Sequence, residues 1–191
     1  MRRFLVTALV YAIVAVGAFA AVRVANPAPD PVPLWVEPAS SIVANTRKVE
    51  ITFFGAWDNA PHNSTAIEHP VLHKTAGGVG SFKDPLTFAS PEGKGQYPFG
   101  TRIYVPIVKR YFIREDSCAK SWTAPDGCGA VSHVDLYMGN PSTTKAVLKC
   151  ESRLTPDGKS AIVVNPPDGL VVDPVPLWDQ RTGTCHASIK N

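Results

Sequence analysis

Prolines and glycines interrupt this chain so often that long helices are excluded. The 191 residues contain 18 prolines and 14 glycines, and no stretch between them carries apolar residues at helical spacing for three turns. Short runs of β-branched and aromatic residues recur instead, separated by turn segments such as AGGVGS, PEGKGQYPFG and TPDG. The pattern predicts an all-β domain with short strands and tight turns.

Seven segments have the composition and alternation of strands. They are 49–55, 85–90, 101–108, 110–116, 130–138, 145–154 and 159–165. Pro106 lies inside the third segment, TRIYVPIV, and cannot donate a ladder hydrogen bond, so it indicates a strand edge or a bulge. A barrel or a sandwich with one irregular strand is expected.

The N-terminus has the features of an export signal. Two arginines precede an uncharged apolar run from Phe4 to Val22, and Ala18 and Ala20 form a small-residue cleavage site. Residues 1–25 are therefore expected to be a signal peptide, with an uncleaved membrane anchor as the alternative. Residues 26–47 are rich in proline and predict a linker, which leaves one domain over 48–191. Either way the domain is expected to be secreted or extracellular.

The four cysteines fit an oxidising compartment. An even number of cysteines in an exported chain predicts two disulfides, although the sequence permits three pairings. We favour neighbours in sequence, Cys118 with Cys128 and Cys150 with Cys185, which would stabilise the fold by about 3 and about 4 kcal/mol on the loop-entropy model. The spacing typical of structural zinc is missing.

Charge and motifs exclude several function classes. The net charge is +3 with scattered basic residues, which does not predict nucleic-acid binding. His62, His69 and His73 lie in a proline-containing loop at spacings that do not predict a metal site. No phosphate-binding glycine loop is present. We expect no cofactor, no membrane association unless the N-terminal segment is uncleaved, and a monomer.

One carboxylate, Asp135, lies inside a segment that otherwise reads as a buried strand. His133, Asp135 and Tyr137 share one face of that strand, and we expect this face to meet solvent or a groove. Such an acid is either simply solvated or part of a site. Cleavage of a glycosidic bond needs two carboxyl groups across a cleft, and Asp116 and Asp58 are the candidate partners.

Five motifs in order carry a resemblance to a known superfamily. They are TFFG (52–55), TAGG (75–78), FGTRIYV (99–105), YFIREDSC (111–118) and HVDLY (133–137). Together they resemble rare lipoprotein A-like proteins, expansins, barwin-type proteins and family 45 endoglucanases, over roughly residues 49 to 136. The resemblance implies a six-stranded double-psi β-barrel, here with extra loops and a disulfide-tied C-terminal extension.

The resemblance also implies roles for individual residues. Asp135 corresponds to the proton donor of the superfamily, and Thr52 to the threonine that hydrogen-bonds beside it. Phe54 stands where an aromatic side chain, usually tyrosine, lines the groove. His133 and Tyr137 flank the acid and are candidate substrate contacts.

Three further residues keep two interpretations each. Asp116 corresponds to the acid at the end of the central strand, or else caps a turn or pairs with an arginine. Asp58 is a candidate base, or else a turn-forming aspartate. Trp57 is a candidate for stacking on sugars, or else a packing residue.

Two function classes remain open from the sequence. The first is binding of a cell-wall or extracellular polysaccharide, with cleavage by an endoglucanase-like hydrolysis or by lytic transglycosylation, which needs no water-activating base. The second is a non-enzymatic protein-interaction module of the barwin or effector type.

Overall fold

The fold is described from a computed structural model. It describes residues 45–91, 97–118, 128–129, 132–139 and 141–186. Eight strands and one helix lie in these ranges: β1 Thr46–Phe54, β2 Leu86–Pro91, β3 Arg102–Val105, β4 Arg110–Cys118, β5 His133–Tyr137, α1 Val147–Leu154, β6 Ser160–Val164, β7 Trp178–Asp179 and β8 Thr184–Cys185. The expected signal peptide, 1–25, and residues 26–44 of the expected linker lie outside the described residues.

Six strands close into a barrel, which confirms the predicted all-β fold class. Their order around the barrel is β1-β5-β2-β4-β3-β6, while β7 and β8 form a separate two-stranded sheet. β1 pairs with β5 and β2 with β4 in parallel, and the other pairings are antiparallel. Two parallel pairs within a closed six-stranded barrel are compatible with the double-psi architecture.

The barrel interior is filled by alternate residues of the strands. Ile51 and Phe53 of β1, Val134 and Leu136 of β5 and Phe88 of β2 are at most 5% exposed. Burying each such side chain stabilises the fold by about 1.5–3 kcal/mol. Because side chains alternate along a strand, the residues between these positions point to the outside of the barrel.

Much of the barrel's outer face is also buried. α1 packs against β1, and the outward-pointing rings of Phe54 and Tyr137 contact each other at 5.3 Å between centroids. Tyr104 and Tyr111 form a second outer cluster, where each hydroxyl donates to a backbone carbonyl of segment 167–171. Loops and the helix therefore form a partial outer layer around the barrel.

The expectation that segment 145–154 is a strand is wrong, because Val147–Leu154 of this segment folds as helix α1. Its buried residues are Val147, Cys150, Glu151 and Leu154, which recur at the three- and four-residue spacing of one helix face. The helix ends where Thr155 donates its amide to the carbonyl of Glu151. A helical pattern of only eight residues is a weak signal in the sequence, so it could not be distinguished from a strand. Packing of the segment against β1 stabilises the helix.

We expected Pro106 to mark a strand edge or a bulge, but it lies in the turn between two strands. β3 ends at Val105, and residues 106–109 form the turn into β4, with Lys109 at a φ of 49°. The irregularity lies instead between β2 and β4, where Phe88 pairs with Arg114 but Ala89 pairs with Asp116. Glu115 is the additional residue of this bulge.

Both disulfides join the cysteines that we favoured. Cys118 is bonded to Cys128, and Cys150 of α1 is bonded to Cys185 of β8. The second bond ties the C-terminal segment to the helix, as expected for the extension. Disulfides are consistent with an extracellular protein. In the part of the chain that is described, no helix is both long and apolar enough to cross a membrane.

Candidate functional site

A row of outward-pointing residues crosses four strands of the barrel. Thr52 of β1 pairs with Asp135 of β5, Asp135 pairs with Ala89 of β2, and Ala89 pairs with Asp116 of β4. Laterally paired residues point to the same side of a sheet. Asp135 and Asp116 are separated by one intervening strand, so their Cα atoms lie about 10 Å apart, twice the usual strand spacing.

Asp135 is the member of this row with the chemistry of an acid. It is half-buried, and its Oδ1 accepts a hydrogen bond from the Thr52 hydroxyl at 2.7 Å. Burial raises the pKa of Asp135 to about 7, the charges of Asp58 and Asp116 add to the rise, and the Thr52 bond opposes it.

His133 holds Thr52 in the orientation that serves Asp135. The His133 Nε2 lies 2.7 Å from the Thr52 Oγ1. Burial lowers the pKa of the His133 ring, against a hydrogen bond with the Cys128 backbone and the charge of Glu50, so the ring is neutral at pH 7. Thr52 gives its proton to Asp135, and the role of Nε2 in its contact with Thr52 depends on which ring nitrogen carries the proton. His133, Thr52 and Asp135 thus form one hydrogen-bonded chain.

Asp58 follows β1 and is exposed to solvent. Together with Asp135 and Asp116 it belongs to a group of acids that we call the carboxyl cluster. Its Oδ1 accepts the Gly55 amide at 2.9 Å, which closes a tight turn after the strand. This is the turn-forming interpretation of the residue. Its negative charge also raises the pKa of Asp135, so the two groups interact electrostatically. Asp58 therefore has both a structural contact and a place beside the acid.

A fourth carboxyl, Glu151 of α1, belongs to the cluster and was missed from the sequence. The residue is 6% exposed. A Cβ placed on Gly55 would clash with Ser142 Oγ and lie 3.1 Å from Glu151 Oε1, so the absence of a side chain at Gly55 admits both groups. Burial raises the pKa of Glu151 to about 9, with further increases from Asp58, by its charge and a hydrogen bond, and from the charge of Asp135. At neutral pH Glu151 is protonated and donates to Asp58.

Asp116 fits its structural interpretation. The residue is 8% exposed, and its Oδ1 accepts the backbone amides of Glu68 and Ser117, each at 2.9 Å. These bonds hold the loop around residue 68 against the end of β4. The neighbouring arginines of β4 donate to backbone carbonyls: Arg110 to those of Asp173 and Val175, and Arg114 to those of Tyr97 and Ser90.

The expectation that the face around Asp135 is open is wrong for three of the candidate contacts. His133 is 0%, Tyr137 1% and Phe54 6% exposed. They do share the outward face of the strands, but the Cys128 backbone and the Phe54–Tyr137 contact, together with α1 on β1, cover them. Their burial leaves Trp57 as the aromatic candidate that is partly exposed, and its ring lies edge-on to that of His62 at 4.7 Å between centroids.

The loop histidines have separate surroundings. His62 contacts Trp57, His69 stacks on Phe99, and His73 lies between Asp84 and Glu115. Burial alone would lower the pKa of His73, but hydrogen bonds with Asp84 and Glu115 raise it. Among the described residues no group of three or more His, Cys, Asp or Glu side chains could hold a metal ion.

Two cavities lie apart from the carboxyl cluster. One, of about 130 Å³, is lined by residues that include Leu86, Met138 and Leu177, and the other, of about 230 Å³, by residues that include Lys109 and Asp173. Arg110 borders both. Neither cavity is lined by Asp135 or by the other carboxyls of its cluster.

Comparison with known proteins gives a family. The family model described as "DDB_G0273701 N-terminal domain" matches residues 46–186, which contain the barrel, α1 and both disulfides. The chain belongs to this family. It is 33% identical over 136 residues to "Uncharacterized protein DDB_G0273701/DDB_G0273221" of Dictyostelium discoideum. The match covers 71% of this chain and 58% of that protein. No solved structure matches the chain.

The family's matched region contains every carboxyl of the cluster. Asp58, Asp116, Asp135 and Glu151 all fall within 46–186. Thr52 is hydrogen-bonded to Asp135, the charges of Asp58 and Asp116 raise the pKa of Asp135, and Glu151 is an additional acid of the same cluster. The signal for Glu151 was its position four residues after Val147 and one after Cys150, on the inward face of a short amphipathic helix.

Proposed function

We propose that this protein is a secreted polysaccharide-binding protein that cleaves a glycosidic bond of a cell-wall or extracellular glycan, with Asp135 as the general acid. The observation that carries the proposal is the state of Asp135, a half-buried carboxyl whose pKa is raised to about 7 by burial. Such an acid still holds its proton at the pH at which it must donate it. The resemblance of this chain to rare lipoprotein A-like proteins, expansins and family 45 endoglucanases is part of the same proposal.

The proposed step begins with a proton transfer from Asp135. The carboxyl gives its proton to the glycosidic oxygen as the bond from that oxygen to the anomeric carbon breaks, and Asp135 becomes a carboxylate. The Thr52 hydroxyl donates to Oδ1 at 2.7 Å and stabilises the charge that forms there. The chain from His133 through Thr52 thus assists the ionised product of the step.

The anomeric carbon is then taken by an oxygen nucleophile. In hydrolysis this is a water whose proton passes to a base, and exposed Asp58 is the candidate for that role. In lytic transglycosylation a hydroxyl of the same sugar attacks, its proton passes to the Asp135 carboxylate that the first step produced, and no water is consumed. The products distinguish the two routes, because only hydrolysis creates a new reducing end.

A test compares the mature domain with Asp135→Asn on peptidoglycan, chitin and cellulose. The wild-type protein should release soluble sugars from one of these polymers, and the variant should lose at least about 100-fold in rate, the usual loss for a general acid. Asp168→Asn is the matched control, because Asp168 is an exposed acid in a distant loop and asparagine can keep its bond to the Gly169 amide. Equal release by all three proteins would refute the acid role.

The second candidate is a non-enzymatic protein-interaction module. Two observations favour it: Phe54, His133 and Tyr137 are buried, and adjacent Val71 and Leu72 are 51% and 48% exposed. Exposed neighbouring aliphatic side chains are typical of protein-binding surfaces. This candidate predicts neither sugar release nor retention on the three polymers, and retention is measured by sedimentation with each insoluble polymer.

A further inference from the structure

Glu151 is a buried acid that contacts the site through Asp58. It is 6% exposed on the inward face of α1, and its Oε1 has no hydrogen-bond partner in the described part of the chain. Its carboxyl is hydrogen-bonded to Asp58, whose Oδ1 is held at 2.9 Å by the Gly55 amide. Asp58 is thus bound by a backbone amide on one side and by a buried acid on the other.

We propose that Glu151 is a positioning residue. Its protonated carboxyl donates a hydrogen bond to Asp58 and holds that residue in place, so that Asp58, and not Glu151, carries the negative charge next to Asp135. The absence of a side chain at Gly55 leaves room for the Glu151 carboxyl, because a Cβ there would lie 3.1 Å from Oε1. A neutral donor holds Asp58 without adding charge, whereas an ionised Glu151 would repel it. The inference rests on the proposed function for the role of Asp58.

The charges around Glu151 are those of its own cluster. Asp58, from the turn after β1, and Asp135 of β5 both act on it and favour its protonated form. On its own helix, Lys149 and Arg153 are exposed and point away from the buried face. Glu151 is therefore expected to lose its proton only in alkaline solution, where its ionised carboxyl would place a second negative charge next to Asp58.

The Gly55 amide reports on this arrangement without any need for activity. Its proton shift is followed by ¹⁵N-correlated NMR from pH 5 to 10 in the wild-type protein and in Glu151→Gln and Glu151→Leu. The wild-type shift should show a step near pH 9, where the Glu151 carboxyl is expected to ionise. Glu151→Gln keeps a neutral donor and should lose that step while matching the wild-type spectrum at pH 7. Glu151→Leu removes the donor and should move the Gly55 signal already at pH 7.

Activity gives the second readout, on the polymer that the wild-type protein degrades. Glu151→Gln should retain wild-type turnover at pH 7 and leave the alkaline limb of the pH profile unchanged, because the proton of Asp135, lost near pH 7, sets that limb. Glu151→Leu should lose about 10- to 100-fold, the scale of a displaced reacting group. A Gly55 step that persists in Glu151→Gln, or that is absent from the wild-type protein, overturns the inference even if sugars are released. Absence of sugar release with the expected NMR pattern would refute the proposed function alone.

Discussion

Replacing Glu151 by glutamine should stabilise the protein, and increasingly so as the pH rises. The folded protein keeps the Glu151 proton up to about pH 9 because of burial and the nearby aspartates. In the unfolded chain a glutamate loses its proton at a pH of about 4.3. Between these values the native state binds the additional proton, so the free energy of unfolding of the wild-type protein falls as pH rises. Glutamine does not titrate and escapes this penalty.

The size of the effect follows from the proton linkage. Each pH unit in this window costs the wild-type protein at most about 1.4 kcal/mol. Between pH 5 and pH 7 the advantage of Glu151→Gln should therefore grow by up to about 2.7 kcal/mol. Contacts that the amide does not reproduce add an offset that is the same at every pH. Below about pH 4 the advantage from this source should vanish, since both states are then protonated.

Urea denaturation followed by tryptophan fluorescence, at pH 4, 5, 6 and 7 with the disulfides intact, measures the free energies of unfolding. Glu68→Gln is the control, because the Glu68 side chain is exposed and its replacement should change stability by less than about 0.5 kcal/mol. A difference between Glu151→Gln and the wild-type protein that stays constant over this range would refute the reasoning that Glu151 is protonated in the folded state.

Three other changes test separate contacts. Thr52→Val removes the donor to Asp135 Oδ1, so it should raise the carboxyl pKa further, seen by ¹³C NMR, and destabilise the fold by about 1–3 kcal/mol, while Thr52→Ser should restore both. Gly55→Ala places a methyl group against Ser142 Oγ, so the urea midpoint should fall by the equivalent of about 1–3 kcal/mol, and an unchanged midpoint would contradict the tight approach. Replacing Cys150 and Cys185 together by alanine opens a loop of 35 residues and should cost about 4 kcal/mol on the loop-entropy model, measured by thermal unfolding; a loss near zero would show that the bond adds no constraint.

The barrel could be predicted because its signals are local. β-branched alternation and turn residues specify strands such as 49–55 and 110–116 without reference to distant parts of the chain. The pairing of Thr52 with Asp135 required more, since 83 residues separate them, and it came from the resemblance in motifs. The disulfide pairs followed from neighbours in sequence, which the structure confirms.

The outer layer could not be predicted by the same means. His133 and Tyr137 lie on the face that alternation assigns, but what covers that face is set by packing between distant segments. The state of Glu151 depends on the same packing. Eight residues carry a weak helical signal, and only contact with β1 fixes α1 and buries its acid. Glu151, one of the four carboxyls of the cluster, was thus missed because tertiary contacts decide the structure of its segment.

The proposed function requires that the Asp135 carboxyl keeps its proton up to neutral pH. The direct measurement is a ¹³C NMR titration of the aspartate side-chain carboxyl carbons, with Asp135→Asn used to assign the signal. We predict a midpoint near pH 7 for the signal that this variant lacks. A midpoint near pH 4, the ordinary range for aspartate, would contradict it and leave Asp135 as a solvated carboxylate on the surface of the barrel.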